Sequence, residues 1–411
     1  MPTGLLAILI PAYLLAGRLT VQKLGGTVRD FVFCILNLAA LYGFFFYGHP
    51  KRYGIYIALV GVLYLALVLF GKRKGLWPWL AFAAPITLLI VVRYIIPASE
   101  QWMAALSGKM AGPLPGTGFQ LIGISYLAFR SSHLVLEVRN EVAPMPSFCQ
   151  FAGFCFFAPT LTVGPINSYS NHLRAFGDAP SGCKIPAGRS LLRILVGLVK
   201  FQFLGNYFNQ LSYDGLLMDN HFHHWIDLPV AGIFYYLYLY CNFSGYCDAA
   251  IGAAGLMGIP VSENFNNPLA SRNVKDFWNR WHITLSTYMR DVVFSPLSKY
   301  LGRAFGPSNI NHAIAATITV IFLLIGIWHG FGWNYLAFGA VHAAGVVANH
   351  YYTIWLKKTL GRDRFKAYNA NPWIHACAVT LTFGYVAASL MLFANSFPDL
   401  KIILSTFGQS S

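Results

Sequence analysis

Residues Phe322–Gly345 read FLLIGIWHGFGWNYLAFGAVHAAG, and this stretch decides the fold. The apolar run 310–330 that leads into it is long enough to cross a bilayer, whose hydrocarbon core of about 30 Å takes roughly 20 helical residues. The run ends by setting His329 between Trp328 and Gly330, and a second histidine, His342, follows beyond Gly332 and Trp333. A charged side chain inside a lipid-embedded helix costs about 2.5 kcal/mol or more, so ionisable groups are rare there and point to function. Neutral imidazole costs less, and an unperturbed pKa of about 6.5 lets it take or give a proton at neutral pH. The alternative for both histidines is structural, a ring satisfied by hydrogen bonds between packed helices.

Composition agrees with a membrane protein. The chain has 411 residues, 56% of them hydrophobic and only 10% charged, where soluble proteins carry about 25%; its mean hydropathy is +0.53. The 16% aromatic content suits interfacial belts. A net charge of +15 would point to nucleic acid in a soluble protein. Here the Lys and Arg residues lie mostly in short loops between apolar runs, so the positive-inside rule accounts for them and no nucleic-acid partner is expected. A basic cytoplasmic face also suits an acidic partner. The seven cysteines, Cys34, Cys149, Cys155, Cys183, Cys241, Cys247 and Cys377, are odd in number and several fall inside apolar runs. They read as buried thiols rather than a disulfide framework or a zinc site. His221, His223 and His224 beside Asp219 lack a metal-ligand pattern and read as a wet surface loop, so no metal is expected.

The segment Gly4 to Gly17 is apolar with no basic stretch before it, which predicts a retained first span. Further apolar runs lie near 30–47, 54–71, 77–97, 120–137, 148–166, 190–210, 228–257, 277–297, 310–330, 333–356 and 373–396. The expectation is an all-α polytopic membrane protein of about ten to twelve transmembrane or re-entrant helices. Arg18, Lys23 and Arg29, and then Lys72, Arg73 and Lys74, face the cytoplasm if the N-terminus is outside; Lys51 and Arg52 fall on the other side. No linker, low-complexity tract or internal repeat interrupts 1–411. A single membrane domain is expected, with N-terminal spans in 1–97 and a catalytic core in about 120–400.

Three stretches are too polar for their surroundings. In IGISYLAFRSSHLVLEVRNEV (122–142), Arg130, His133 and Glu137 share one helix face, where Arg130 or His133 can pair with Glu137. In LYLYCNFSGYCD (237–248), Asn242, Ser244, Tyr246 and Asp248 gather at an expected helix end, and Gly245 allows a break or a close backbone approach. NFNNPLASRNVKDFWNRWHITLSTYMRDVVFSPL (264–297) interleaves Trp278, Trp281 and Tyr288 with Arg280, His282, Arg290 and Asp291, as in a helix at the membrane interface. Asp276 and Arg280 are spaced to pair. His282 is the second candidate for an active site.

NFNNP, FWNRWHITLS, RDVVFSPL, IWHGFGW and the downstream GAVH together resemble the membrane-bound O-acyltransferase family. FAPTLTVGPI (157–166) and FSGYCDAAIG (243–252) resemble landmarks of its bacterial branch, so the resemblance covers roughly 120 to 400. GISYLAFR and LEVRN are closest to the branch that moves D-alanyl groups to teichoic acid, whereas FSGYCDAAIG and SENFN are similar to the alginate-type O-acetyltransferases. Two positions depart from the family pattern: Asn242 and Cys247 stand where DFxGYS is usual, and Asn167-Ser168-Tyr169 follows GPI where a basic residue is usual.

The resemblance implies a helical fold around a tunnel, in the multi-pass cytoplasmic (inner) membrane of a bacterium. It implies catalysis by His329 with His282 as the second active-site residue. In acyl transfer from a thioester to a hydroxyl, His329 would act as general base, and His282 would orient the donor or stabilise the oxyanion. Asn242, Ser244, Trp281, Arg290, Trp328 and Trp333 are the expected substrate-binding residues; Trp333, four residues beyond His329, would pack on it if the helix continues. No permanently bound cofactor is expected. The donor would be an acyl-phosphopantetheine thioester on a carrier protein at the cytoplasmic face, or else acetyl-CoA. The acceptor would be an extracytoplasmic polymer or partner protein, with membrane lipids around the chain. A transporter or flippase ranks below these readings, because paired repeats with matched helix interruptions are missing from the sequence.

Overall fold

The computed structural model describes residues 3–96, 123–176, 185–217, 223–330 and 332–405. Among the described residues every regular element is a helix, with one isolated β-bridge between Phe265 and Trp281. In hydrocarbon a backbone N–H or C=O finds no water, so each spanning segment must close its own hydrogen bonds. Seven described helices are long and apolar enough to cross: Leu5–Lys23, Gly26–Phe46, Pro50–Phe70, Trp77–Ile95, Ala187–Leu217, Pro307–His329 and Pro372–Ala394. The chain is a multi-pass, all-α membrane protein. The runs at 148–166 and 277–297 break into short helices instead, one at Pro159 and Gly164-Pro165 and the other at the corner Trp281-His282. Cys183, Asp219 and His221 lie outside the described residues. Cys377 is exposed, unlike the buried Cys34, Cys155, Cys241 and Cys247.

The chain forms two compact units, one of Met1–Leu195 with Cys247–Ser262 and one of Val196–Tyr246 with Glu263–Ser411. The first unit contains α1 (Thr3–Lys23), α2 (Gly26–Leu41), α3 (Pro50–Phe70), α4 (Trp77–Ile90), α5 (Ile124–Arg139), α6 (Phe148–Cys155) and α7 (Tyr169–Leu173). Its interior is aromatic, with Phe33, Tyr56, Phe151, Phe154, Phe156, Phe157 and Tyr169 buried. The polar face of α5 works as a staple within this unit. Arg130, wholly buried, donates to the carbonyl and hydroxyl of Thr160 and to the Phe154 carbonyl at 3.3 Å. Glu137 pairs with His133 at 3.7 Å and caps α7, accepting from the Tyr169 N–H at 2.9 Å, the Ser170 N–H at 3.2 Å and the Ser170 hydroxyl. A carboxylate at a helix N-terminus meets orphan donors and the positive dipole end together. The 157–170 segment is thus clamped at both ends.

The chain continues through α8 (Ala187–Leu198), α9 (Asn206–Gln210) and α10 (Asp227–Leu256), then α11 (Val274–Arg280), α12 (Ile283–Met289) and α13 (Ser295–Phe305). It ends with α14 (Ile310–His329), α15 (Trp333–Ala370), α16 (Pro372–Ala394) and α17 (Phe397–Ser405). In the second unit α14 and α15 form a tight hairpin, and small residues allow it. A Cβ on Gly326 would collide with the Tyr335 carbonyl, and one on Gly339 with the Phe322 carbonyl. Asn334 donates to the Leu392 carbonyl at 3.1 Å and the Tyr385 hydroxyl donates to the Val341 carbonyl at 2.6 Å, fixing α16 on α15. α15 bends at Gly361, whose φ of +67° favours glycine.

This packing makes Gly339→Ala disruptive even though alanine is the better helix former. We expect it to lose about 1–3 kcal/mol through overpacking, seen as a fall in melting temperature in detergent. Gly61→Ala on α3, where a Cβ meets nothing within 4 Å, serves as control and should melt at or above the wild-type temperature. Equal melting temperatures for the two variants would contradict the close-packed hairpin.

Candidate active site

Backbone pairing builds the site around His282. The Asn266 N–H donates to the Arg280 carbonyl and the Ile283 N–H to the Asn264 carbonyl, each at 3.0 Å, so 264–266 runs antiparallel to 280–283. The chain turns at His282 with φ +46°, in the left-handed region that non-glycine residues seldom occupy. Such strain persists only where the surroundings over-determine it, commonly at functional sites. The surroundings here are the Asn264 side chain: its Oδ1 accepts the Thr284 N–H at 3.1 Å and the Thr284 hydroxyl at 2.9 Å, and lies 3.1 Å from His282 Nδ1.

That arrangement fixes the tautomer of His282. A backbone N–H can only donate, so the Asn264 atom facing it is the oxygen, and an amide oxygen can only accept. Nδ1 therefore carries the proton and Nε2 holds a lone pair. Nε2 is buried and has no hydrogen-bond partner among the described residues. His282 lies outside the spanning segments, and burial first, then the charge of neighbouring His329, push its pKa down to about 3. The neutral ring presents a bare acceptor.

His282 and His329 line one internal cavity of about 60 Å³, with Phe243, Trp281, Phe338, Phe393 and other apolar residues. Trp328 touches both histidines, its ring centroid 4.6 Å from that of His329 and 6.3 Å from that of His282. Phe393 meets the His329 ring edge-on at 4.8 Å, and Phe243 meets His282 edge-on at 4.9 Å. His342 also borders the cavity, but both its nitrogens are engaged. Trp278 Nε1–H donates to its Nδ1 at 3.1 Å, so Nε2 carries the proton and donates to Ser389 Oγ at 2.9 Å, whose hydroxyl reaches the Val386 carbonyl at 2.8 Å. The structural alternative holds for His342.

The structure brings together His329, His282, Trp281 and Trp328 and leaves the other expected binding residues elsewhere. Trp333 is 73% exposed, because Gly330 and Gly332 leave the helix and break the four-residue relation to His329; Tyr335 and Phe393 contact the ring instead. α10 does not end at Gly245. It runs on to Leu256, and Gly245 serves close packing, since a Cβ there would lie 2.6 Å from the Gly197 carbonyl. Phe243 therefore faces the cavity while Asn242 and Ser244 do not line it. Arg290 lies in an exposed π-helical turn and pairs with Asp291 at 3.2 Å. Asp276 and Arg280 pair at 2.9 Å as their spacing implies. His223 pairs with Asp227 at 3.8 Å.

Asn264 and the phenylalanines of the cavity wall, Phe243, Phe338 and Phe393, were not among the expected site residues. The signal for Asn264 was its place in NFNNP, a polar cluster ahead of the Trp281-His282 corner. Phe338 and Phe393 belong to apolar runs in which nothing distinguishes a cavity wall from a lipid face.

The family model of membrane-bound O-acyltransferases matches residues 44–391. A teichoic acid D-alanyltransferase of Streptococcus thermophilus is 31% identical over 90% of this chain and 95% of its own length. One of Bacillus subtilis is 27% identical over 84% and 91%. A probable alginate O-acetylase of Pseudomonas aeruginosa is 31% identical over 54% of this chain and 41% of its own length. The family match, most of the chain long, and a relative this similar over nearly its whole length show that the chain belongs to the membrane-bound O-acyltransferase family.

Proposed function

We propose that this chain transfers D-alanyl groups from a carrier-protein thioester at the cytoplasmic face of a bacterial cell membrane to a hydroxyl of an envelope polymer such as teichoic acid, or of a partner protein. The observation that carries the chemistry is the small cavity shared by His329 and His282. The D-alanyl choice rests on the two D-alanyltransferase relatives, each covered over more than nine-tenths of its length. The alginate-type relative covers far less and supports acetyl transfer from acetyl-CoA as the second reading.

In this reading His329 takes the proton from the attacking hydroxyl as its oxygen adds to the thioester carbonyl; the C–S bond then breaks, the acyl group stays on that oxygen as an ester, and the carrier's thiolate takes the proton back from His329 and leaves as the free thiol. His282 acts as an acceptor. Its Nδ1–H is committed to Asn264, so a neutral His282 has no proton to offer an oxyanion and instead orients a hydroxyl or N–H through Nε2. Trp281, Trp328 and the phenylalanines exclude water and raise the strength of each polar contact. Asn264 is a positioning residue that acts through His282.

Two outcomes follow. His329→Ala should reduce transfer from a D-alanyl-loaded carrier in reconstituted membranes about 10²- to 10⁴-fold while eluting as a folded protein. Unchanged transfer would remove it as the base. Asn264→Asp places a carboxylate beside Nδ1, which favours the charged imidazolium and raises the His282 pKa. Protonation removes the Nε2 lone pair, so the acid limb of the rate profile should move to higher pH, and Asn264→Ala should lower kcat without that shift. A profile identical to wild type in Asn264→Asp would refute the acceptor role.

A further inference from the structure

The last third of α15, on both sides of its bend at Gly361, carries Lys357, Lys358, Arg362, Arg364 and Lys366, with Asp363 as the only acid among them. All five cations are exposed, and among the described residues no ion pair engages any of them. By the positive-inside rule this end of the hairpin faces the cytoplasm. The segment borders a cleft of about 630 Å³ between α15 and α16 that is wholly within the second unit and separate from the histidine cavity. Leu356, Ala378 and Leu381 supply an apolar wall. Tyr352 and Tyr368, whose hydroxyls are 3.0 Å apart, give it a polar rim. Lys357 Nζ lies 5.4 Å over the ring of Phe365, which lines the cleft, and Arg272 lines it as well, so positive charge stands at the opening.

We propose that this cleft holds an anionic phospholipid, with the phosphate at the basic segment and an acyl chain along the apolar wall. Clusters of Lys and Arg just cytoplasmic of a spanning helix, and basic pockets between such helices, attract anionic headgroups. The concave apolar wall decides for a lipid over an acidic protein, which would be met by exposed charge alone and has no chain to fill a cleft.

The test uses the full chain purified in neutral detergent. Lipid retained after exchange is counted by mass spectrometry, and melting is followed with added phosphatidylglycerol, phosphatidylcholine or the chain-free headgroup glycerophosphoglycerol. Wild type should retain about one phosphatidylglycerol and be stabilised by that lipid alone. The triple variant Arg362→Gln, Arg364→Gln, Lys366→Gln should retain about tenfold less or lower. Ala378→Phe, which narrows the cleft with every charge kept, should lose retention as well. Full retention in Ala378→Phe would overturn the cleft, because charge alone would then suffice. Equal stabilisation by the chain-free headgroup would overturn the lipid and leave a phosphate site. Stabilisation by an acidic carrier protein but not by phosphatidylglycerol would assign the segment to a protein partner and overturn the proposal. Acyl transfer is not read in any arm, so the result stands apart from the assignment of the histidines.

Discussion

The site depends on one amide oxygen. Asn264 Oδ1 accepts the N–H and hydroxyl of Thr284 and meets Nδ1 of His282, three contacts of 2.9 to 3.1 Å. With this oxygen in place, the left-handed turn at His282 is held, its proton is committed to Nδ1, and its other nitrogen, buried beside the cavity, has no hydrogen-bond partner among the described residues. A buried polar group without a partner is costly, so the fold keeps an acceptor there against its own stability. A buried acceptor of this kind calls for an explanation, and the proposed function supplies one in a substrate hydrogen. His342, a few ångströms of packing away through Phe338, shows the contrast: the same side chain, equally buried, with both nitrogens satisfied.

His329 reaches the same cavity by a different device. It ends α14, and the glycines at 326 and 339 let α15 fold back so closely that Phe338 and, through α16, Phe393 close over its ring. Membrane helices lack a hydrophobic drive toward one another, so small residues and a few hydrogen bonds set such geometry. The tie from Asn334 to Leu392 is one of those bonds and seats Phe393 where it meets His329.

Much of this was legible in the sequence, and the failures have physical causes. The apolar runs, the intramembrane His329, the His133–Glu137 face of α5 and the Asp276–Arg280 pair all follow from local periodicity, which a sequence displays. Trp333 was misplaced because a helical spacing rule was carried across Gly330 and Gly332, where the helix stops. Of the two readings of Gly245, a break or a close backbone approach, the structure takes the second, and in a continuous helix the two residues flanking Phe243, Asn242 and Ser244, turn away from its face. Arg290 was drawn in by its aromatic neighbours, yet a cation with water at hand stays outside. Asn264 escaped notice because its partners lie 18 and 20 residues along the chain, and no period marks a contact of that kind.

The proposed transfer of D-alanyl groups is tested most directly by a donor competition. Wild-type protein in sealed vesicles would receive a D-alanyl-loaded carrier protein and acetyl-CoA together, each with its own isotope, and label in a hydroxyl acceptor would be counted. D-alanyl transfer predicts label from the alanyl carrier and background levels from acetyl-CoA. Label from acetyl-CoA alone would contradict it and move the chain to the acetyl-transferring side of the family.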